Sequence, residues 1–289
     1  MLSNWETYVQ WFQADAVNCI ISAVIMIVVI LMSLILHECA HGWMALHCGD
    51  PTAKYMGRLS LNPLKHLHPI GTLCMLFAGF GWAKPVPVNP RNFQNYRRDD
   101  FLVSIAGIVT NLTLFLICSL LAVVLNMALW NDEFLPILQR VEGINADPAE
   151  MVNIFSRDYD ALSHFVVNYP TFNGDFIRFT NGNAMGLGDF ANAEWLLYVQ
   201  RFLLMMAQVN LTLALFNLLP IPPLGGFHVL NDTILGGRLQ LNQQAFQAAQ
   251  LVLIVLMLST DIVSMILSAG TELIGGSVIR VFMMLTGQM

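Results

Sequence analysis

His37-Glu38-Cys39-Ala40-His41 sets two imidazoles four residues apart, with a carboxylate next to the first. On a helix, positions i and i+4 share a face about one turn apart, so both rings can reach one metal ion. Glu38 is placed to hold and deprotonate an attacking water. This is the working set of a zinc hydrolase, short enough as a pattern that its setting has to carry weight. The setting is unusual: Ile20 to Leu36, immediately before it, contains no charged residue. Ionisable groups are expensive in such a run unless they serve a function. The plainer alternative is a pair of helix-end histidines snorkelling to a membrane interface.

The elements that must position these residues follow from composition. The 289 residues are 56% hydrophobic and only 11% charged, against about 25% charged in an ordinary soluble domain. That is too little charge for the polar shell of a soluble protein. Stretches 18–46, 101–130 and 195–219 each exceed the ~20 residues needed to cross about 30 Å of hydrocarbon. A fourth, 245–268, is long enough but carries Asp261. The tail from Leu273 to Leu285 is apolar but short. The expected fold class is an all-α polytopic membrane protein with about four to five transmembrane helices and short extended or re-entrant segments near the site. The first Lys or Arg is Lys54, so the N-terminus lacks the basic start of a cleaved signal peptide.

Charge asymmetry orients the chain. Residues 47–100 hold Lys54, Arg58, Lys65, Lys84, Arg91, Arg97 and Arg98, whereas the tail before the first helix has no basic residue. The positive-inside rule puts 47–100 in the cytoplasm and the motif toward that side. Residues 69–83 would span only about 22 Å as a helix, short of the hydrocarbon, and read as re-entrant. Pro85, Pro87 and Pro90 are too closely spaced for a helix, so the segment after Trp82 runs extended. Residues 131–194 hold ten Asp and Glu against three Arg and read as an acidic extracytoplasmic loop. The expected organisation is an N-terminal membrane part over 1–130, this loop over 131–194, and a C-terminal membrane part over 195–289. The five cysteines include no C-x-x-C pair and suggest neither disulfides nor a cysteine zinc site. His47, His66 and His68 read as surface or interfacial residues, and Asn111 as a helix-to-helix hydrogen-bonding amide.

Several of these segments together resemble the site-2 protease family of intramembrane zinc metalloproteases, in its compact bacterial branch. Beside the H-E-x-x-H helix, the resemblance lies in Gly57-Arg58-Leu59-Ser60-Leu61-Asn62-Pro63, in Gly81-Trp82-Ala83-Lys84-Pro85-Val86-Pro87-Val88-Asn89-Pro90, and in Ala106-Gly107 with Asn111. Asn217-Leu218-Leu219-Pro220-Ile221-Pro222-Pro223-Leu224 is similar to the family's second motif, N-x-x-P-x-x-P-L-D-G. There the family's aspartate is the third zinc ligand, and this chain has Gly225. His228, three residues on, is the nearest side chain suited to replace it.

The resemblance implies a zinc-dependent endopeptidase that cuts transmembrane protein substrates in the bilayer. His37 and His41 would bind Zn2+, with His228 as candidate third ligand. Glu38 would be the general base, and Asn217 would position substrate or stabilise an oxyanion. Segments 57–63 and 84–90 are candidates to pair with an unwound substrate strand. The expected location is a bacterial cytoplasmic membrane, with no nucleic-acid partner and no indication of oligomeric state. The alternative is a weakened or inactive pseudoprotease that binds membrane partners, although retention of Glu38 argues for chemistry. A transporter is disfavoured because paired halves and a midplane set of ionisable residues are missing.

Overall fold

The computed structural model of the chain describes residues 16–67, 84–129, 177–178, 184–185, 192–236, 239, 242–260 and 262–287. The expected re-entrant segment, His68, most of the acidic loop and Asp261 lie outside them. Six helices of nine or more residues are present among the described residues: α1 (Ala16–His47), α2 (Tyr96–Leu129), α3 (Glu194–Leu218), α4 (Gly225–Thr233), α5 (Gln243–Ser259) and α6 (Ile262–Leu285). A two-residue antiparallel ladder, β1 (Ile177–Arg178) and β2 (Ala184–Met185), is the sole sheet among them. The chain is therefore an all-α polytopic membrane protein.

Among the described residues, four helical segments are long and apolar enough to cross a bilayer: Ile20–His47, Tyr96–Leu129, Tyr198–Leu218 and Ile262–Leu285. The first three match expectation. The fourth replaces the expected 245–268 span. Thr260 is extended, at φ −139° and ψ 153°, which breaks the apolar run in two. α5, with 17 residues, then reaches only about 25 Å, and the apolar tail joins α6 to make the longer helix. The exposed faces of these helices carry Val24, Ile27, Val28, Leu116, Ile117, Leu120 and Val124, the surface expected where hydrocarbon rather than water is the solvent.

Chain contacts divide the molecule into two discontinuous units. One comprises Met1–Val29, Phe115–Gln208 and Glu272–Met289. Its core gathers Ala122, Val123, Leu204, Ile279 and Met283, packed by Leu203 and Phe282. Within it the guanidinium of buried Arg201 donates to Ser22 Oγ at 2.6 Å. The other comprises Ile30–Leu114 and Val209–Thr271 and contains every candidate site residue. Here Ala45, Cys48 and Val103 form a small core, and buried Asn210 donates to Ser33 Oγ at 2.9 Å. Such inter-helix hydrogen bonds are modestly stabilising where water is absent.

Candidate metal centre

The rings of His37 and His41 lie over Gly107 of α2. A Cβ on Gly107 would stand 2.4 Å from His37 Cε1, 2.6 Å from His37 Nε2 and 2.6 Å from His41 Nε2. Only glycine leaves that space to the rings. The two Nε2 atoms are 3.0 Å apart, and the ring planes meet at 79°. Two nitrogens on a tetrahedral zinc, each at about 2.05 Å, would be separated by roughly 3.3 Å. The pair fits a metal. His41 Nδ1 lies 2.6 Å from the Val103 carbonyl oxygen. A carbonyl can only accept, so Nδ1 carries the proton and Nε2 of the neutral ring keeps its lone pair.

Glu38 is held by a segment distant in the sequence. Its Oε2 accepts the backbone N–H of Val86 at 2.8 Å. Val86 belongs to the extended segment 84–89, where prolines 85 and 87 have no N–H to offer. The segment is fixed on several sides. Arg58 is buried, and its Nη2 donates to the carbonyls of Lys84 at 2.6 Å and Pro85 at 3.2 Å. Asp50, fully buried, accepts from Asn89 N–H at 2.7 Å, from Asn92 Nδ2 at 2.7 Å and from Thr52 N–H at 3.1 Å. Burial raises the Asp50 pKa, yet these bonds to its charged form outweigh it and leave the carboxyl below its usual range.

His66 corrects the surface reading. It is 2% exposed, its Nε2 meets the Ser60 carbonyl at 2.7 Å, and its own carbonyl accepts Lys84 N–H at 2.7 Å. The ring and backbone of one residue thereby tie segment 57–66 to segment 84–89. His47 is exposed, as expected. The N–H groups of Lys84, Val86 and Asn89 are all used within the protein. Segment 84–89 thus has few donors left for the strand pairing expected of it.

The second motif is arranged differently. α3 ends at Leu218, and Asn217 turns its Nδ2 back onto the Leu213 carbonyl at 2.8 Å. After the proline-rich turn, α4 begins at Gly225 itself. A Cβ there would be 2.9 Å from the Ser104 backbone oxygen on α2. His228 Nδ1 faces Asp100 Oδ2 at 3.0 Å, and its ring stacks on Phe246. Donating that hydrogen bond to the Asp100 carboxylate raises the His228 pKa above its ordinary value, against the opposing effect of burial. Burial first, and then the Asp100 charge, raises Asp232, whose backbone carbonyl accepts from Arg97 Nε at 2.8 Å. His228 is thus engaged with α2 rather than gathered with the other two histidines. Among the described residues no group of three His, Cys, Asp or Glu side chains could hold a metal.

Asn111 does not make the helix-to-helix hydrogen bond expected of it. It is completely buried on α2, one turn beyond Gly107, and neither amide atom makes a hydrogen bond. The signal was present in the spacing of Gly107 and Asn111, but a glycine's role as a floor for two rings shows only in three dimensions.

The sequence signature of Peptidase family M50 matches residues 25–260. "Putative zinc metalloprotease YwhC" of Bacillus subtilis is 35% identical over 209 residues, covering 72% of this chain and 68% of the relative. "Putative zinc metalloprotease Rip2" of Mycolicibacterium smegmatis is 32% identical over 129 residues, covering 42% of this chain and 48% of the relative. No solved structure matches the chain.

Proposed function

From its membership of peptidase family M50, the site-2 protease family, to which this chain belongs as a metalloendopeptidase, we propose that it uses Zn2+ to hydrolyse peptide bonds of transmembrane protein substrates. His37 and His41, whose Nε2 atoms converge, would hold the ion. Zinc supplies Lewis acidity, which lowers the pKa of a water and polarises a carbonyl. Glu38 takes the proton of the attacking water and later delivers it to the leaving amine nitrogen. The Val86 N–H keeps that carboxylate aimed while the prolines on either side hold the strand extended. A substrate helix must open first, because its carbonyls are otherwise hydrogen-bonded along the helix. The basic 47–100 region supports a site facing the cytoplasm of a bacterial cell membrane.

The observation that carries this reading is the convergence of two imidazole nitrogens over Gly107, 3.0 Å apart. The test uses the full chain in lipid nanodiscs, measuring bound zinc and cleavage of a transmembrane peptide. The parent should bind zinc and cut, and His41→Ala should lose both. Zinc binding without cleavage of any transmembrane peptide tried would favour the pseudoprotease alternative, for which the missing Gly225 side chain is the supporting observation. Equal zinc content in the parent and His41→Ala would remove the metal reading.

A further inference from the structure

Val103, Gly107 and Asn111 recur every four residues on α2 and so line one face of it. The two histidines, also four apart on α1, run along that face. His41 meets Val103, and both rings cover Gly107. The amide of Asn111 stands next to His37, as does the backbone at Gly107. His41 thus has its Nδ1 bound by a named acceptor. His37 does not: its Nδ1 is buried with no hydrogen bond, and the neighbouring Asn111 has both amide atoms in the same condition. Three bare polar atoms of two adjacent side chains are costly in a membrane interior, where no bulk water can satisfy them.

We infer that Asn111 is a positioning residue for His37: its amide Oδ1 accepts the His37 Nδ1–H and so fixes the tautomer that leaves Nε2 free for the metal. This rests on the zinc reading above. Metal-ligating histidines almost always donate their other N–H to a carbonyl or carboxylate, which fixes ring orientation and raises ligand basicity. Val103 does this for His41 with a backbone oxygen, and Asn111 does it for His37 with a side chain. The second acceptor candidate is the Gly107 backbone. Like the Val103 carbonyl it could accept beside its helix bond, but Asn111 is favoured because both of its amide atoms are buried with no other partner.

The test is zinc affinity of the full chain in nanodiscs, by chelator competition, together with the visible spectrum of the Co2+-loaded protein. Asn111→Leu should weaken zinc binding by about 10–100-fold and perturb the Co2+ bands. Asn111→Asp, which keeps the acceptor and loses the donor, should bind at least as tightly as the parent. In a His37→Ala background, Asn111→Leu should cause no further loss. The inference is overturned if Asn111→Leu binds like the parent, which would assign the role to Gly107. It is equally overturned if Asn111→Asp fails as badly as Asn111→Leu, or if the loss persists without His37. The single variant His37→Ala separates the two levels: parent-like zinc affinity there would defeat the zinc reading itself, whatever Asn111 does.

Discussion

α2 receives two close approaches, each made possible by a glycine, and they differ in what they bring together. At Gly107 the glycine is on α2, and the missing Cβ is replaced by three ring atoms of His37 and His41. At Gly225 the glycine is on α4, and the missing side chain lets that helix press to the Ser104 backbone oxygen. The first approach converges groups that can bind a cation. The second converges backbone, with His228 and Asp100 pairing one turn away. The same residue type therefore makes room for two imidazole rings in one place and for the close approach of a neighbouring backbone in the other.

The largest effect expected is from Gly107→Ala. The added methyl would lie at 2.4–2.6 Å from three ring atoms, so the rings must leave. Zinc stoichiometry should fall to that of His41→Ala and cleavage should vanish. Parent-like zinc content would break the comparison at its stronger side. Glu38→Gln comes next: the amide keeps the shape but takes no proton, so turnover should fall by about 10²–10⁴-fold with zinc content unchanged. Joint loss of zinc would mean that Glu38 contributes to metal binding.

Gly225→Asp probes the weaker side. A carboxylate completes the ligand set that the resemblance implies, but its Cβ meets backbone at 2.9 Å, an overpacking strain of about 1–3 kcal/mol. Zinc affinity should rise while Tm falls. A rise in both would show that α4 has room to yield, and no change in affinity would place the third ligand elsewhere. The smallest effect is that of His228→Ala, which should leave zinc content untouched. It removes a hydrogen bond to a carboxylate, a loss of roughly 1–3 kcal/mol, read as a lower Tm. The pKa of His228 is raised in the fold, so the stability it contributes is full below its unfolded value of about 6.5. That stability is lost as pH rises through the folded value. The Tm difference between parent and His228→Ala should therefore shrink toward alkaline pH. A zinc loss matching that of His41→Ala would make His228 a ligand after all.

Three of the spanning helices and the helical placement of the H-E-x-x-H motif were legible in the sequence, because long apolar runs and i, i+4 spacing are local properties. The break at Thr260 was not, since 245–268 is apolar on both sides and one extended residue leaves little trace in hydropathy. His66 looked like a surface residue because its neighbours are basic. What buries it is a pairing with Lys84 and Ser60, 18 and 6 residues away in the chain. Glu38 was identified as a base from its position in the motif. The Val86 N–H that aims it lies 48 residues on, beyond the reach of any periodicity. The motif Lys84 to Pro90 was legible as extended, but not as the partner of Glu38, Asp50 and Arg58.

That segment has a consequence for the making of the protein as well as its working. A short extended stretch whose amides are vacant is a template on which a neighbouring chain can nucleate a ladder, especially while a membrane protein is still being inserted. Between Lys84 and Pro90, three of seven residues are prolines, and the amides of Lys84, Val86 and Asn89 are bound within the fold. Even before folding, the prolines alone deny a stray strand nearly half of the donors it would need. The prolines that flank Val86, whose N–H holds Glu38, therefore also leave the unfolded segment few donors for such a ladder.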